Sequence, residues 1–194
     1  MSEDDGALLA AAERGDQGAW DTLVDRYNAL LWSVARGYRL GTVDGGDAVQ
    51  NTWLRLVENL DQIAEPHRLG SWLATTVRRE CLQLLRRASR EQPAPTFEWL
   101  EKLPNGEAPL DAALLLDERD GALWRALASL SERCQRLLRV LMASPPPSYV
   151  DVAAALDMPI GSIGSTRQRC LDRLRKVASV DELLTDRAPV REDP

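Results

Sequence analysis

Cysteine and histidine are scarce: Cys81, Cys134 and Cys170 lie far apart with no Cys-x-x-Cys pair, and His67 is the one histidine. That scarcity argues against a zinc site and against a disulfide framework. Lysine is nearly missing. Of 24 basic residues only Lys102 and Lys176 are lysines, so almost every cation is a planar five-donor guanidinium suited to carboxylate or phosphate. Long apolar runs are lacking too. The longest near the start, Ala7 to Ala12, is far too short for a bilayer, and Met1-Ser-Glu-Asp-Asp-Gly is acidic where a secretion signal is basic. These absences predict a cytoplasmic protein without membrane insertion. No stretch alternates apolar and polar residues as a strand does. Nor is there a nucleophile–base pair, metal cluster or glycine-rich phosphate loop, which argues against an enzyme and calls for no cofactor.

What the chain does hold is helical periodicity. Its 194 residues, 44% hydrophobic and 28% charged, suffice for one modest domain or two small ones. A short helix is expected over about Gly6–Arg14. Asp16 reads as an N-cap, and Trp20, Leu23, Val24, Tyr27, Leu30, Leu31 and Val34 recur at three and four until Gly37. After a Gly41–Gly46 connection, a helix from about Asp47 to Asn59 turns Val49, Trp53 and Leu56 inward. A loop over residues 62–71 leads into a helix from about Ser71 to Ser89, with Trp72, Leu73, Val77, Cys81, Leu84 and Leu85 inside.

Glu91 to Pro109 then holds four prolines in nineteen residues and reads as a linker. A second helical block follows. One helix starts near Asp111 and carries Leu114, Leu115, Leu123, Trp124 and Leu127; Ser131 caps the next, and Ser144-Pro-Pro-Pro stops it. Ser148-Tyr-Val-Asp151 has capping-box spacing and opens a short helix to Leu156. Asp157-Met-Pro-Ile-Gly161 forms a turn, and Ser162 caps a last helix to about Ala178. Short helix, tight turn and longer basic helix make a helix-turn-helix. The predicted class is therefore all-α, with two small helical domains: residues 1–90, a linker over 91–110, a second domain over 111–180, and an acidic tail over 181–194.

The formal net charge of -6 first reads as unfavourable to a nucleic-acid partner, but its distribution reverses that. Residues 1–61 carry eleven acids against five arginines, whereas Arg68–Arg90 carries six arginines against one glutamate. The segment 91–120 is -6 by itself. The last helix, 160–178, is +4. Two basic helices sit in an acidic chain. Such patches neutralise phosphates, while the surrounding acid suppresses non-specific binding through long-range repulsion. For one arginine-rich helix alone an ordinary solvated face is the better reading; a second one in the recognition position of a helix-turn-helix favours DNA.

At these residues the chain resembles the sigma-70 superfamily of transcription initiation factors, in its compact extracytoplasmic-function (ECF) branch, over about residues 6–178. Asp47-Ala-Val-Gln-Asn-Thr-Trp-Leu-Arg55 is similar to the family's region 2.2 motif, which docks on the clamp helices of the RNA polymerase beta-prime subunit. Pro66–Arg87 is similar to the segment that reads the -10 promoter element. Leu130–Leu138 with Ser148–Ile163 is similar to region 4, which reads the -35 element. The resemblance implies core RNA polymerase (beta-prime clamp helices and beta subunit), promoter DNA and an anti-sigma factor as partners, help in DNA melting, and no catalysis. It implies polymerase contacts by Asp47, Gln50, Asn51, Leu54, Arg55 and Glu58. For the -10 strand it implies Pro66, His67, Arg68, Arg78, Arg79, Arg86 and Arg87. For the -35 element it implies Ser162, Ser165, Thr166, Arg167, Gln168, Arg169 and Arg173, although Gly164 and Thr166 stand where the family has basic residues and Arg167 where it has leucine.

Three other readings compete. A self-sufficient helix-turn-helix regulator would bind operator DNA tightly without polymerase. An enzyme lacks its chemistry here, and an all-helical adaptor would show no salt-dependent DNA affinity.

Overall fold

A computed structural model describes residues 4–91 and 118–185. The expected linker beyond residue 91, the start of the helix expected from Asp111, and the tail beyond residue 185 lie outside the described residues. Among those described there are eight α-helices, two 3₁₀ turns and no strand, as the all-α class requires. The helices are α1 (Asp5–Glu13), α2 (Gln17–Gly37), α3 (Thr42–Glu58), α4 (Leu69–Glu91), α5 (Glu118–Ala128), α6 (Glu132–Leu141), α7 (Tyr149–Leu156) and α8 (Ile160–Thr185). The 3₁₀ turns Leu60–Gln62 and Pro66–Arg68 lie between α3 and α4.

Helix α2 is the axis of the first half. Asp16 caps it, accepting from Gly18 N at 2.9 Å and Ala19 N at 3.2 Å, which satisfies two donors that the first turn leaves free. Leu23, Leu31 and Val34 are fully buried from α2, Leu56 from α3, and Leu69, Leu73 and Val77 from α4. Burying each such side chain is worth about 1.5–3 kcal/mol, so this apolar seam holds the three helices together. Asp5 ties α1 down, bonding to Arg26 and accepting from the Tyr27 hydroxyl at 2.6 Å. Burial, then that hydrogen bond, pushes the Tyr27 pKa upward.

Helix α3 starts five residues earlier than its periodicity predicts. Gly45 and Gly46 read as a connection, yet they are helical and lie against the Trp32 ring, where tertiary contact overrides glycine's weak propensity. Likewise α4 begins at Leu69, taking the end of the expected loop into its first turn.

The second half docks on the first through α6 and α7. At the α2 C-terminus, Arg139 Nη1 donates to the Arg36 carbonyl at 2.9 Å and Arg136 Nε to the Gly37 carbonyl at 3.0 Å. The Arg136 guanidinium also lies 4.9 Å from the Tyr38 ring centroid. Gly37 permits this approach: a Cβ there would stand 3.2 Å from Arg136 Cγ. Desolvation, then the Arg39 and Arg36 charges, lowers the Arg139 pKa. Inside the second half, the buried Gln135 amide donates to the Ala128 and Leu130 carbonyls at 2.8 and 2.7 Å, pinning the α5–α6 turn.

Two expectations are corrected here. Cys134 and Cys170 form a disulfide with Cα atoms 5.4 Å apart, joining α6 to α8. Their separation of 36 residues hides a pairing that the helix packing creates. Cys81 is the buried free thiol. The last helix starts at Ile160 rather than behind Ser162, whose hydroxyl donates backward to the Pro159 carbonyl at 2.7 Å instead of capping. Leu123 and Trp124 on α5 are exposed, whereas Leu127 is buried. The Ser148–Asp151 capping box is present in full.

Candidate nucleic-acid interface

Helix α3 offers its outer side to a partner. Asp47, Gln50, Leu54, Arg55 and Glu58 are exposed, and Asn51 is half-buried. Leu54 and Val57 are 53% and 52% exposed. They rim an apolar groove of about 410 Å³ between α2 and α3, floored by Trp20, Val24, Trp32, Val49 and Trp53. Trp20 and Trp53 meet edge to face, with ring centroids 5.8 Å apart. Periodicity assigned both tryptophans to the core and missed Val57, although Leu54 and Val57 share a face at i, i+3.

A polar cleft of about 250 Å³ separates α3 from α4, lined by Asn51, Arg55, Glu58, Glu80, Gln83 and Arg87 among others. Arg55 Nε donates to Glu80 Oε1 at 2.6 Å, and the Glu80 side chain is only 8% exposed. Arg55 therefore serves the α3–α4 joint as well as the surface. Sequence reasoning counted Glu80 merely as the one acid in a basic helix; a lone acid beside a cluster of arginines was the available signal.

In the turn before α4, Pro66 is half-buried while His67 and Arg68 are exposed. Arg68 Nη1 bonds Glu65 Oε2 at 2.7 Å, and that bond holds the Glu65 carboxyl below the usual range. Arg79, Arg86 and Arg87 are exposed on α4. Arg78 differs. Its side chain is 19% exposed, Nη1 meets Asp157 Oδ2 at 2.7 Å, and Nε is buried without a hydrogen-bond partner. One turn of the basic helix is thus covered by the helix-turn-helix.

On α8, Ser165, Arg167, Gln168, Arg169 and Arg173 are exposed, and Ser162 is half-buried. Thr166 was expected to face outward but is only 7% exposed. It lies at helical spacing with Ile163 and Cys170, which are buried, so it belongs to the packed stripe. Its hydroxyl accepts from Arg169 Nη2 at 3.3 Å, and Gln168 Nε2 donates to Asp172 Oδ1 at 3.1 Å. The exposed row is left to Ser165, Arg167, Gln168, Arg169 and Arg173. The three surfaces lie on one folded body: a mixed apolar and polar helix face, an arginine row, and a basic second helix of a helix-turn-helix. Among the described residues no helix is long and apolar enough to cross a membrane, and no cluster of potential metal ligands occurs.

Residues 23–91 match the family model described as Sigma-70 region 2. The chain is 30% identical over 173 residues to the ECF RNA polymerase sigma factor SigM of Mycobacterium tuberculosis, covering 89% of this chain and 84% of that one. It is 26% identical to the ECF RNA polymerase sigma-E factor of Escherichia coli K12, covering 85% and 90%. Among solved structures, CnrH in complex with the cytosolic domain of CnrY superposes with a TM-score of 0.59 at 23% identity, covering 92% of this chain and 99% of that chain. The sigma factor RpoE in complex with the anti-sigma factor NepR from Bartonella quintana gives 0.54 at 23%, covering 84% and 98%. These two show a shared fold.

Proposed function

The chain belongs to the extracytoplasmic-function family of RNA polymerase sigma factors, and from that premise we propose how its surfaces divide the work of starting transcription. It is a transcription initiation factor: it binds core RNA polymerase, directs it to promoters through the -10 and -35 elements, and assists melting. We assign core binding to the outer side of α3 with the adjoining groove. Leu54 and Val57 supply the desolvated centre, and Asp47, Gln50, Asn51, Arg55 and Glu58 the polar rim. Pro66, His67, Arg68, Arg78, Arg79, Arg86 and Arg87 are assigned to the -10 strand. Ser165, Arg167, Gln168, Arg169 and Arg173, with Ser162 at the edge, are assigned to the -35 duplex. Thr166 is withdrawn from that set because it is buried.

The cytoplasm is the proposed compartment, where polymerase is, and an anti-sigma factor is a further proposed partner, as in the RpoE–NepR complex. The chemistry of RNA synthesis belongs to polymerase, and this chain supplies binding and orientation. We retain the division into two domains around a linker at 91–110 as part of the proposal.

One observation carries the reading. The apolar rim of α3 and the arginines of α4 are braced by the Arg55–Glu80 pair, so that polymerase and promoter are met by adjacent faces of one rigid unit. Transcription start mapping with reconstituted holoenzyme tests it. Selective starts absent with core alone are expected. Failure to associate with core, or starts no more selective than those of core, overturns the reading. Leu54→Glu should abolish core binding, whereas Arg79→Glu should impair promoter opening at least tenfold with core binding retained.

A further inference from the structure

Helix α7 lies along α4 with two carboxylates against it. Asp151 Oδ1 accepts from the Ser71 hydroxyl at 2.9 Å, and Asp157 Oδ2 meets Arg78 Nη1 at 2.7 Å. Ser71 and Arg78 are seven residues apart on α4, about 10 Å along its axis at 1.5 Å per residue. The backbone accommodates the closer contact: a Cβ on Gly70 would stand 2.7 Å from Asp151 Oδ1 and 2.9 Å from its Cγ. Glycine is thus required for the carboxylate to seat.

Asp157 is not explained by α7 alone, and Asp151 only in part. Asp151 Oδ2 completes the capping box with Ser148, leaving Oδ1 for Ser71. Asp157 is the C-cap of α7 at φ 54° and ψ 52°, a left-handed position that glycine or asparagine fills at less cost. A negative charge there also opposes the helix dipole. What Asp157 gains is Arg78. The pair is lopsided, because the Asp157 side chain is 77% exposed while Arg78 is drawn under with its Nε unsatisfied. A contact that leaves a buried guanidinium donor unpaired is poised to exchange for a better acceptor.

We propose that α7 is an internal mimic of a nucleic-acid strand, its Asp151 and Asp157 carboxylates occupying places on α4 that backbone phosphates take when the chain engages a DNA strand. The closed arrangement withholds Ser71 and Arg78 from DNA while leaving Leu54 and Val57 open, so core polymerase can bind before the strand site is exposed. The inference rests on the assignment of α4 to strand binding made above. It adds a competitor for that site, carried by the same chain.

The test uses the full chain and fluorescently labelled oligodeoxythymidylate of fifteen nucleotides, which offers a phosphate backbone without promoter sequence. Gly70→Ala places a methyl group against Asp151, and Asp157→Asn removes the charge facing Arg78 while keeping a residue that tolerates left-handed backbone. Each should raise affinity about fivefold at low salt and increase the radius of gyration in solution scattering. Asp25→Asn, a neutralisation on exposed α2 surface, should change affinity less than twofold. Affinity within twofold of the unaltered chain for both variants, an equal rise with Asp25→Asn, or no measurable oligonucleotide binding by any form overturns the proposal. Should Gly70→Ala lose helicity by circular dichroism, Asp157→Asn decides alone. If these measurements fail while reconstituted holoenzyme still starts selectively, mimicry falls and the sigma-factor reading stands; if start selectivity itself fails, that reading falls.

Discussion

The two halves of this molecule are held together by different means. In α1–α4, long helices of up to 23 residues share a wide apolar seam, and the one cysteine there, Cys81, is a buried thiol that fills space. In α5–α8, the two helices that meet the first half, α6 and α7, have only 10 and 8 residues. Isolated helices of that length are marginal in water, so they depend on tertiary support. A disulfide joins α6 to α8, and α6 and α7 lean on α2 and α4. The difference teaches that the helix-turn-helix owes part of its order to α1–α4, and that this same contact covers part of α4.

The comparison is broken most severely at Leu73, fully buried on α4 in the seam. Leu73→Ala should cost about 4 kcal/mol in urea denaturation and expose both halves together to proteolysis. Loss confined to α1–α4 would show that the second half stands alone. Next comes the crosslink. Reducing Cys134–Cys170, or Cys134→Ala, opens a loop spanning 36 residues, worth about 3.8 kcal/mol by chain entropy. Hydrogen exchange should accelerate in α6 and α8 and remain slow in α2 and α3. Equal acceleration throughout would mean that the halves unfold as one.

A third measurement separates the cysteines by pH. Burial pushes the Cys81 thiol from 9.0 up to about 12. The native state therefore keeps a proton that the unfolded chain releases. This stabilisation is complete below pH 9 and is lost as pH rises, at about 1.4 kcal/mol per unit, or about 2 kcal/mol by pH 10.5. Tyr27 and Tyr38, also raised mainly by burial, act in the same direction. Cys81→Ala should flatten the alkaline slope of urea stability without abolishing it. The disulfide-bonded Cys134 and Cys170 contribute nothing to it.

Local signals were readable where one short segment decides the outcome. The Asp16 cap, the stop at Gly37 and the Ser148–Asp151 box all appear as the residue pattern implies, because their partners lie within a few positions. The arginine row of α4 and the exposed α3 face were legible for a similar reason, since helical spacing sets the side on which each residue falls. What escaped depends on distant chain. Gly45 is helical because Trp32 covers it, Cys134 pairs with Cys170 because α6 packs on α8, and Arg78 is half hidden because Asp157 arrives from the other half. Thr166 was misplaced by reading a polar residue as a surface one, although its spacing from Ile163 and Cys170 marked it as inward.

The smallest expected effect is also the most discriminating between the halves. Asp16 and Ser148 cap α2 and α7 with comparable hydrogen bonds, and replacing either by alanine should cost about 1 kcal/mol. Where that cost appears should differ. Helix α2 is 21 residues long and central to the seam, so Asp16→Ala should lower the urea midpoint of the whole chain while leaving exchange along α2 slow. Helix α7 has eight residues, and its cap shares Asp151 with Ser71. Ser148→Ala should therefore leave the global midpoint nearly fixed and speed amide exchange in α7 about fivefold. A midpoint shift as large as that of Asp16→Ala would place α7 in the same cooperative unit as α2 and remove the basis for treating it as a segment that detaches on its own.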